Sequence, residues 1–270
     1  MKKRFMSLSL AVWLILSCAL LPVSAMENDI EYDYLLSIGV PETYLDGLDD
    51  QDVEGLFNRV SGKGYVFHSI ETVVLEEESP LSGARGSISP SMMEFSMLIF
   101  TLSDPDEMPE RIYEVYIDIT YEWLTGFPLV NLQDAITVNW DSSDFVFSSG
   151  SFRSYDEAKR YLVNWEIYNS LSVPDIVQQG GLGYTIPLWI IDATSGNINA
   201  FKGGCYFSLL PRSPMYAGIN YISGVEAQYA HSLIGLGLGV GSGADGVSVS
   251  ISSATIYDYT TASGEVYYDR

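Results

Sequence analysis

A cysteine and two histidines carry the side chains best suited to nucleophilic chemistry in this sequence, because a histidine can take the proton of a neighbouring thiol. Cys205 follows two glycines, and the only histidines are His68 and His231. The residues after Cys205 predict a β-strand, so no helix N-terminus would lower the pKa of its thiol. We therefore expect Cys205 to be a small buried residue and no residue to be catalytic.

Other centres that need several convergent ligands find little support in the sequence. It contains no Gly-x-Ser-x-Gly nucleophile motif. A zinc site needs three or four neighbouring ligands, whereas the histidines and cysteines are few and far apart. Paired carboxylates for glycoside hydrolysis would arise by chance among 35 acidic residues. We therefore expect no cofactor, with calcium as the one alternative.

Calcium is considered because oxygen ligands cluster in two predicted turns. The candidate ligands are Asp104, Asp106, Glu107, Asp141 and Asp144. Neither turn has the residue pattern of an EF-hand loop. Asp, Asn and Ser also favour turns for another reason, since their side chains hydrogen-bond the nearby backbone. A calcium site is therefore an alternative to plain turn chemistry.

The charge of the chain limits its partners. It has 35 acidic and 13 basic residues, a formal net charge of −22. Such a chain repels nucleic acid and anionic lipid head groups, so we expect no nucleic-acid partner and no membrane binding in the folded state. The expected partner is an unidentified protein or a cationic surface, unless the charge serves solubility alone.

The N-terminus has the three parts of a secretory signal peptide. Lys2–Arg4 is basic, Phe5–Leu21 is almost wholly apolar, and Val23–Ala25 supplies small residues for cleavage after Ala25. We expect residues 1–25 to be removed and the chain to be secreted to the cell exterior. In the alternative, a lipid is attached to Cys18 and anchors the protein.

Residues 26–62 predict an acidic helical appendage, and residues 63–270 predict a β domain. In the appendage Pro41 suits the first turn of a helix, and Asp49 suits an N-cap. So few apolar residues cannot form a core alone, so these helices must dock on the β domain or on a partner.

The β domain is predicted to contain about ten short antiparallel strands in a two-sheet sandwich or flattened barrel. The segment Tyr113–Trp123 alternates as a half-buried strand, with Tyr116 on its exposed face. Ala135–Trp140 and Phe145–Phe147 flank an Asp/Ser turn and predict a hairpin. A capping-box pattern and helical apolar spacing predict one helix between strands, over Ser154–Leu171. The fold class is therefore mainly β with a short helical N-terminal segment.

The strongest hairpin signal lies within Gly224–Tyr259. On either side of a Gly/Asp turn, aliphatic residues alternate with glycines on the first arm and with serines on the second. The aliphatic residues are Leu236, Leu238, Val240, Val247, Val249 and Ile251. A change of phase between Leu233 and Ile234 predicts a β-bulge. The aliphatic face must be covered, either by a second sheet or by lipid.

Three segments carry a resemblance to other proteins: Ile117–Trp123, Asp134–Asp141, and Tyr229–His231 leading into the Ser/Gly-rich hairpin. Together they resemble a group of uncharacterised secreted β-rich proteins of Gram-positive bacteria. The resemblance covers residues 113–259 loosely. It implies no activity, cofactor or catalytic residue, since none is known for that group.

These observations favour a secreted, non-catalytic protein that acts by binding or assembly at the bacterial cell exterior. One alternative is a membrane-acting protein that inserts the Gly/Ser hairpin, residues 233–259, into a bilayer. A second is a glycan-binding or glycan-hydrolysing module that uses carboxylates and aromatic side chains. Each hairpin arm offers only three or four aliphatic positions, about half of what a lipid-facing strand needs, which favours packing inside the fold.

Overall fold

The computed structural model describes residues 24–74, 93–104, 106–107, 109–124, 133–160, 165–187, 198–232, 237–243, 246–252 and 257–270. The chain divides into two compact units, residues 1–65 and 66–270. The first contains the helices, and the second contains nearly all of the strands. Within the described ranges, no helix is long and apolar enough to cross a membrane.

The N-terminal unit has three helices: α1 (Ser24–Ser37), α2 (Glu42–Leu45) and α3 (Asp50–Val60). Asp49 caps α3 as its sequence predicts, because its carboxylate accepts a 3.0 Å hydrogen bond from the backbone N–H of Asp52. The inner face of α3 buries Val53, Leu56 and Val60. The helical character of this segment is therefore confirmed.

The β unit is built from strands of very different length. Those within the described residues are β1 (Tyr65–Val74), β2 (Met93–Asp104), β3 (Arg111–Trp123), β4 (Gln133–Trp140), β5 (Phe145–Phe147), β6 (Arg153–Arg160), β7 (Trp165–Leu171), β8 (Ile176–Gln178), β9 (Gly181–Pro187), β10 (Ile198–Pro211), β11 (Met215–Ser232), β12 (Gly237–Gly243), β13 (Gly246–Ser252) and β14 (Tyr257–Asp269). The predicted mainly β class is confirmed, with more strands than the ten expected.

Twelve of these strands form one branched sheet along the order β7-β6-β10-β3-β11-β4-β9-β8. The strand β2 also pairs with β3 and β1, while β14 pairs with β11 and β5 with β10. The remaining strands, β12 and β13, form a separate two-stranded sheet. The sheet curls around a core, because rings from strands that share no backbone pairing meet inside it. Phe95 of β2 and Tyr229 of β11 have ring centroids 6.0 Å apart.

Both faces of β3 are buried at its centre, over residues 115–119, which corrects the prediction that Tyr116 lies on an exposed face. Tyr116 is only 3% exposed, and its ring lies 6.0 Å from those of Phe100 and Tyr206. Asp118, on the same face, is fully buried. Strict alternation of polar and apolar residues therefore does not mark a solvent-facing side here, because aromatic residues of neighbouring strands cover the polar face.

The helix predicted over Ser154–Leu171 is wrong, because this segment forms the antiparallel pair β6–β7. The Ser154 hydroxyl accepts a hydrogen bond from the backbone N–H of Leu171 at 3.2 Å instead of capping a helix. Pairing of β6 with β10 on its other edge outweighs the local helical pattern.

The hairpin predicted between Ala135–Trp140 and Phe145–Phe147 is also wrong. The strand β5 pairs with the end of β10, where Pro211 lies opposite Phe145. The turn Asp141–Asp144 therefore carries the chain away from β4 rather than back along it.

Candidate functional site

The hairpin of β11 and β14 has a distal part that lies outside the main sheet. Pairing runs without a shift between residues 221–232 and 257–268. It resumes in β12–β13 at the pair Gly237–Ser252, and four residues separate the two paired regions on each arm. The pairs β11–β14 and β12–β13 therefore share one antiparallel register. We call β12 and β13, residues 237–252, the distal hairpin.

The register places aliphatic residues of both arms on the same face of the distal hairpin. The pairs on that face include Leu238–Ile251 and Val240–Val249, and the pairs between them include Gly239–Ser250 and Gly241–Ser248. One face is therefore aliphatic and the other is glycine and serine, which confirms the predicted hairpin. The β-bulge predicted between Leu233 and Ile234 lies outside the described residues.

The distal hairpin packs against strands of the main sheet, and no pairing with them is described. The strand β13 packs against β4, β8 and β9, and within the described part of the chain it pairs only with β12. Val249 is 2% exposed, and its backbone N–H donates a 2.9 Å hydrogen bond to Oδ1 of Asn139. A Cβ on Gly181 would lie 3.1 Å from the Val249 nitrogen and 2.9 Å from the Val138 oxygen, so this close approach requires glycine.

A buried polar cluster lies where β11 approaches its last pair with β14. His231 and Asp134 are cross-strand partners on β11 and β4, both fully buried, with 2.6 Å between Nδ1 and Oδ1. The Tyr229 hydroxyl donates to the other oxygen of Asp134, and Trp123 Nε1 donates to the Tyr229 hydroxyl at 3.1 Å. Among the described residues, Nε2 of His231 has no hydrogen-bond partner.

A second buried carboxylate belongs to the same core. Asp156 accepts hydrogen bonds from the Tyr121 hydroxyl at 2.9 Å and from Nδ2 of Asn169 at 2.6 Å. Burial, with a smaller effect from the charge of Asp134, raises the pKa of Asp156 to about 7 against the lowering effect of its two hydrogen bonds. Burial also raises the pKa of Asp134, against the opposing effect of its hydrogen bond with His231. Burial thus destabilises the ionised form of both carboxylates.

We expect the free energy of unfolding to fall as the pH rises through about 7, because Asp156 holds its proton more tightly when folded than when unfolded. The stabilisation is complete below the ordinary pKa of 3.8 and amounts to about 4 kcal/mol in total. Denaturant unfolding of wild type and Asp156→Asn across this range measures it. The variant should lose this pH dependence, and parallel profiles would contradict the assignment.

The cluster offers no nucleophile and no open acid pair. Cys205 is fully buried on the core side of β10, and burial raises the pKa of its thiol well above the usual range. The expectation of a small buried cysteine is therefore confirmed. Asp134 and Asp156 are fully buried, so a sugar cannot reach them. The cluster therefore joins β3, β4, β6 and β11 at the base of the hairpin rather than forming a catalytic centre.

The first set of calcium candidates lies in the turn after β2. Oδ1 of Asp104 accepts a hydrogen bond from the backbone N–H of Asp106 at 3.0 Å. Oε2 of Glu107 accepts a hydrogen bond from the Tyr113 hydroxyl at 2.6 Å. These carboxylates therefore serve the turn and a neighbouring strand.

The second set lies between β4 and β5. Oδ1 of Asp141 accepts a 2.7 Å hydrogen bond from the backbone N–H of Ser143. Asp144 accepts hydrogen bonds from the Tyr268 hydroxyl at 2.8 Å and from Arg270 at 2.7 Å. Across the described ranges, no group of three His, Cys, Asp or Glu side chains converges as a metal site would require.

We call the buried cluster of Trp123, Asp134, Tyr229 and His231 the hairpin base. Its residues were not predicted as a site from the sequence. The alternation along β11 could have identified two of them. Tyr229 and His231 continue the buried face that Val225 and Ala227 begin, so a titratable side chain falls at a core position. The partner Asp134 lies 97 residues away along the chain, and no local pattern identifies it. Asn139 and Gly181 likewise acquire their role only from the docked hairpin.

Comparisons with known proteins give no family: no family model and no curated protein matches the chain. Among solved structures, one titled "Pore forming protein" is 7% identical, with 77% of this chain and 94% of that chain covered and a TM-score of 0.37. A collagen-binding domain from a Staphylococcus aureus adhesin is 9% identical, with 60% and 95% covered and a TM-score of 0.29. A xylan-binding module is 10% identical, with 57% and 95% covered and a TM-score of 0.26. Likeness at this level assigns no function.

Proposed function

We propose that this protein acts on lipid bilayers by releasing the distal hairpin from β4 and β9 and inserting it as an extension of β11 and β14. One observation carries the proposal. The distal hairpin shares the register of β11–β14, yet it packs against β4, β8 and β9 and, among the described residues, pairs with no strand of the main sheet. Extension would keep every described backbone pair of both regions and would break the contacts that the described residues of the hairpin make with β4, β8 and β9.

The length of the extension matches a membrane. Beyond the last β11–β14 pair, each arm has eleven residues before the turn, residues 233–243 and 246–256. A tilted strand needs about 9–11 residues to cross the hydrocarbon core. Within residues 233–256 the only charged residue is Asp245, at the tip. The extended arms could therefore reach across a bilayer with their single charge at the far surface.

Each arm alone has about half the aliphatic residues that a lipid-facing strand needs, but the shared register combines those of the two arms. Continued toward β11–β14, it pairs Leu236 with Ser253 and Ile234 with Thr255. This face then contains five cross-strand pairs, from Ile234–Thr255 to Ser242–Val247. Each pair has at least one aliphatic residue, because the polar positions of one arm lie opposite aliphatic positions of the other. The two arms together thus present a continuous apolar stripe. On the other face glycine and serine are followed, toward β11–β14, by Ala254 and by Leu233 opposite Ile256.

The orientation of the two faces is consistent with this use. On β11 Val225, Ala227 and Tyr229 are buried, and they share their phase with the glycines of β12. The aliphatic residues of β12 share the phase of Glu226, which is exposed, of Gln228, which is partly exposed, and of Ala230, which is buried. Once extended, the hairpin would therefore direct its aliphatic residues outward to lipid and its glycine and serine residues inward.

Binding remains the first step of the proposed function. A secreted protein must reach a target surface before its hairpin can insert, so the expected binding or assembly role and the signal peptide of residues 1–25 belong to this proposal. The net charge of −22 disfavours anionic bilayers, and we take zwitterionic lipid as the first target.

The test is leakage from dye-loaded vesicles of zwitterionic lipid, with a lysine placed on either face of the distal hairpin. We expect wild type to cause leakage and Leu238→Lys to slow it roughly 30-fold or more, because a lysine facing lipid at mid-bilayer costs about 2–4 kcal/mol. Ser250→Lys lies on the other face of the same hairpin, so leakage should persist.

Thermal melting of both variants must show that they fold as wild type does. Vesicles that stay intact with wild-type protein at every lipid composition and pH tested would contradict the proposed function. Equal leakage by the two lysine variants would contradict the assignment of the lipid-facing side.

A further inference from the structure

The strand β14 has one edge paired with β11 and a second edge on which the structure describes no paired strand. Side chains of β1 occupy that second edge. The backbone N–H of Tyr267 donates a 3.2 Å hydrogen bond to Nε2 of His68, and His68 also hydrogen-bonds the backbone of Glu265. The backbone N–H of Ser263 donates to the carboxylate of Glu71. Two side chains therefore serve backbone groups that a neighbouring strand would otherwise pair.

An open edge of this length is a place where another strand can add. Natural proteins block such edges to avoid uncontrolled pairing, and side-chain caps are one way to do so. The edge that His68 and Glu71 cover belongs to the arm that continues into β13 in the shared register.

The occupant of this edge follows from the proposed function, on which this inference rests. A two-stranded hairpin in hydrocarbon leaves the backbone groups of both outer edges without partners, and each such group costs several kcal/mol. Water cannot satisfy them there, so hairpins from several molecules must pair edge to edge. The partner is therefore a second copy of this chain.

We propose that His68 and Glu71 cap the outer edge of β14 and prevent a second copy of this chain from pairing with it until the cap opens. While the cap is closed, it keeps the protein from assembling before it reaches its target.

Acid should open this cap. Nε2 of His68 can accept the Tyr267 N–H only while the imidazole is neutral. Burial lowers the pKa of His68, against a hydrogen bond to the backbone of Glu265 that raises it. The titratable groups facing it are Glu265 and Tyr267 on β14 and Glu110 before β3, while Glu71 of β1 lies further along the same edge, at Ser263. Because its pKa is lowered, the cap is complete above the ordinary histidine pKa and is lost as the pH falls through the lowered value.

The test measures oligomeric state by mass photometry and sedimentation, without lipid, at neutral and acid pH. We expect wild type to be monomeric at neutral pH and to assemble in acid. His68→Phe removes the acceptor and keeps an aromatic ring against Tyr267, so it should assemble at both pH values, with an association roughly tenfold tighter or more at neutral pH.

Two further variants make the result decisive. In His68→Gln the amide can still accept from Tyr267 and donate to Glu265 but does not titrate, so this variant should remain monomeric in acid. Glu71→Leu removes the second cap and should also assemble at neutral pH, which keeps the test valid if His68→Phe misfolds. Monomers throughout for His68→Phe and Glu71→Leu, or acid assembly of His68→Gln equal to that of wild type, would overturn the inference.

The outcomes also separate this inference from the proposed function. Assembly governed by His68 without vesicle leakage would sink the bilayer proposal and leave the capped edge in place. Vesicle leakage that none of the three cap variants changes would overturn the capped edge and leave the bilayer proposal in place.

Discussion

Cross-linking the distal hairpin to β4 should abolish vesicle leakage, and cleaving the cross-link should restore it. The cysteines are introduced as Asn139→Cys and Ser250→Cys and joined by a short reducible cross-linker. Ser250 is exposed and adjacent to Val249, whose N–H meets the Asn139 side chain. The link therefore spans the contact that must break, and leakage should return to its uncross-linked rate after reduction. The native Cys205 is buried and should not react.

The matched control places the same cross-linker within the distal hairpin, using Gly239→Cys and Ser250→Cys. These residues are cross-strand partners, so the link joins the two arms without attaching them to the rest of the protein. Leakage should persist, because extension keeps the two arms paired. A protein that leaks equally with the hairpin joined to β4 would show that the hairpin does not need to move.

Replacing Asp134 by leucine should produce the largest loss of stability, about 3–5 kcal/mol. The change leaves Nδ1 of His231 and the Tyr229 hydroxyl buried without their shared acceptor. For a chain of this size the melting temperature should fall by about 10 °C. Calorimetry of Asp134→Leu against wild type measures the effect.

The control is Glu226→Leu, which removes the same charge from an exposed position on β11. It should change the free energy of unfolding by less than about 0.5 kcal/mol. Adding His231→Leu to Asp134→Leu removes both members of the pair and should recover part of the loss. Equal stabilities for Asp134→Leu and Glu226→Leu would show that the buried pair contributes nothing.

The sequence predicted the distal hairpin because its information is local. Alternation of Leu238 and Val240 with glycines is visible within a few residues, and it correctly predicts strand, turn and face. The shared register with β11–β14 was not predictable, since it depends on which residues pair outside the turn. The objection that each arm is too polar came from treating the arms separately.

The failures elsewhere have the same physical origin. Ser154 and Glu157 have the spacing of a capping box, but the neighbouring strands β10 and β7 provide backbone partners on both sides. Tyr116 has the phase of an exposed residue, yet Phe100 and Tyr206 cover it. In each case a contact made between distant segments outweighed a local preference. The Asp134–His231 pair, the central contact of the hairpin base, was beyond local reasoning for that reason.

The equal spacing of the two arms restricts how this gene can change in length. Residues 233–236 and 253–256 contribute four positions each between the two paired regions. Deleting one codon from either segment would shift one arm by a single residue, and every side chain on that arm beyond it would change faces. Aliphatic residues of one arm would then lie beside serine or glycine of the other. Selection should therefore disfavour a single-residue insertion or deletion on one arm unless a matching change on the other arm compensates for it.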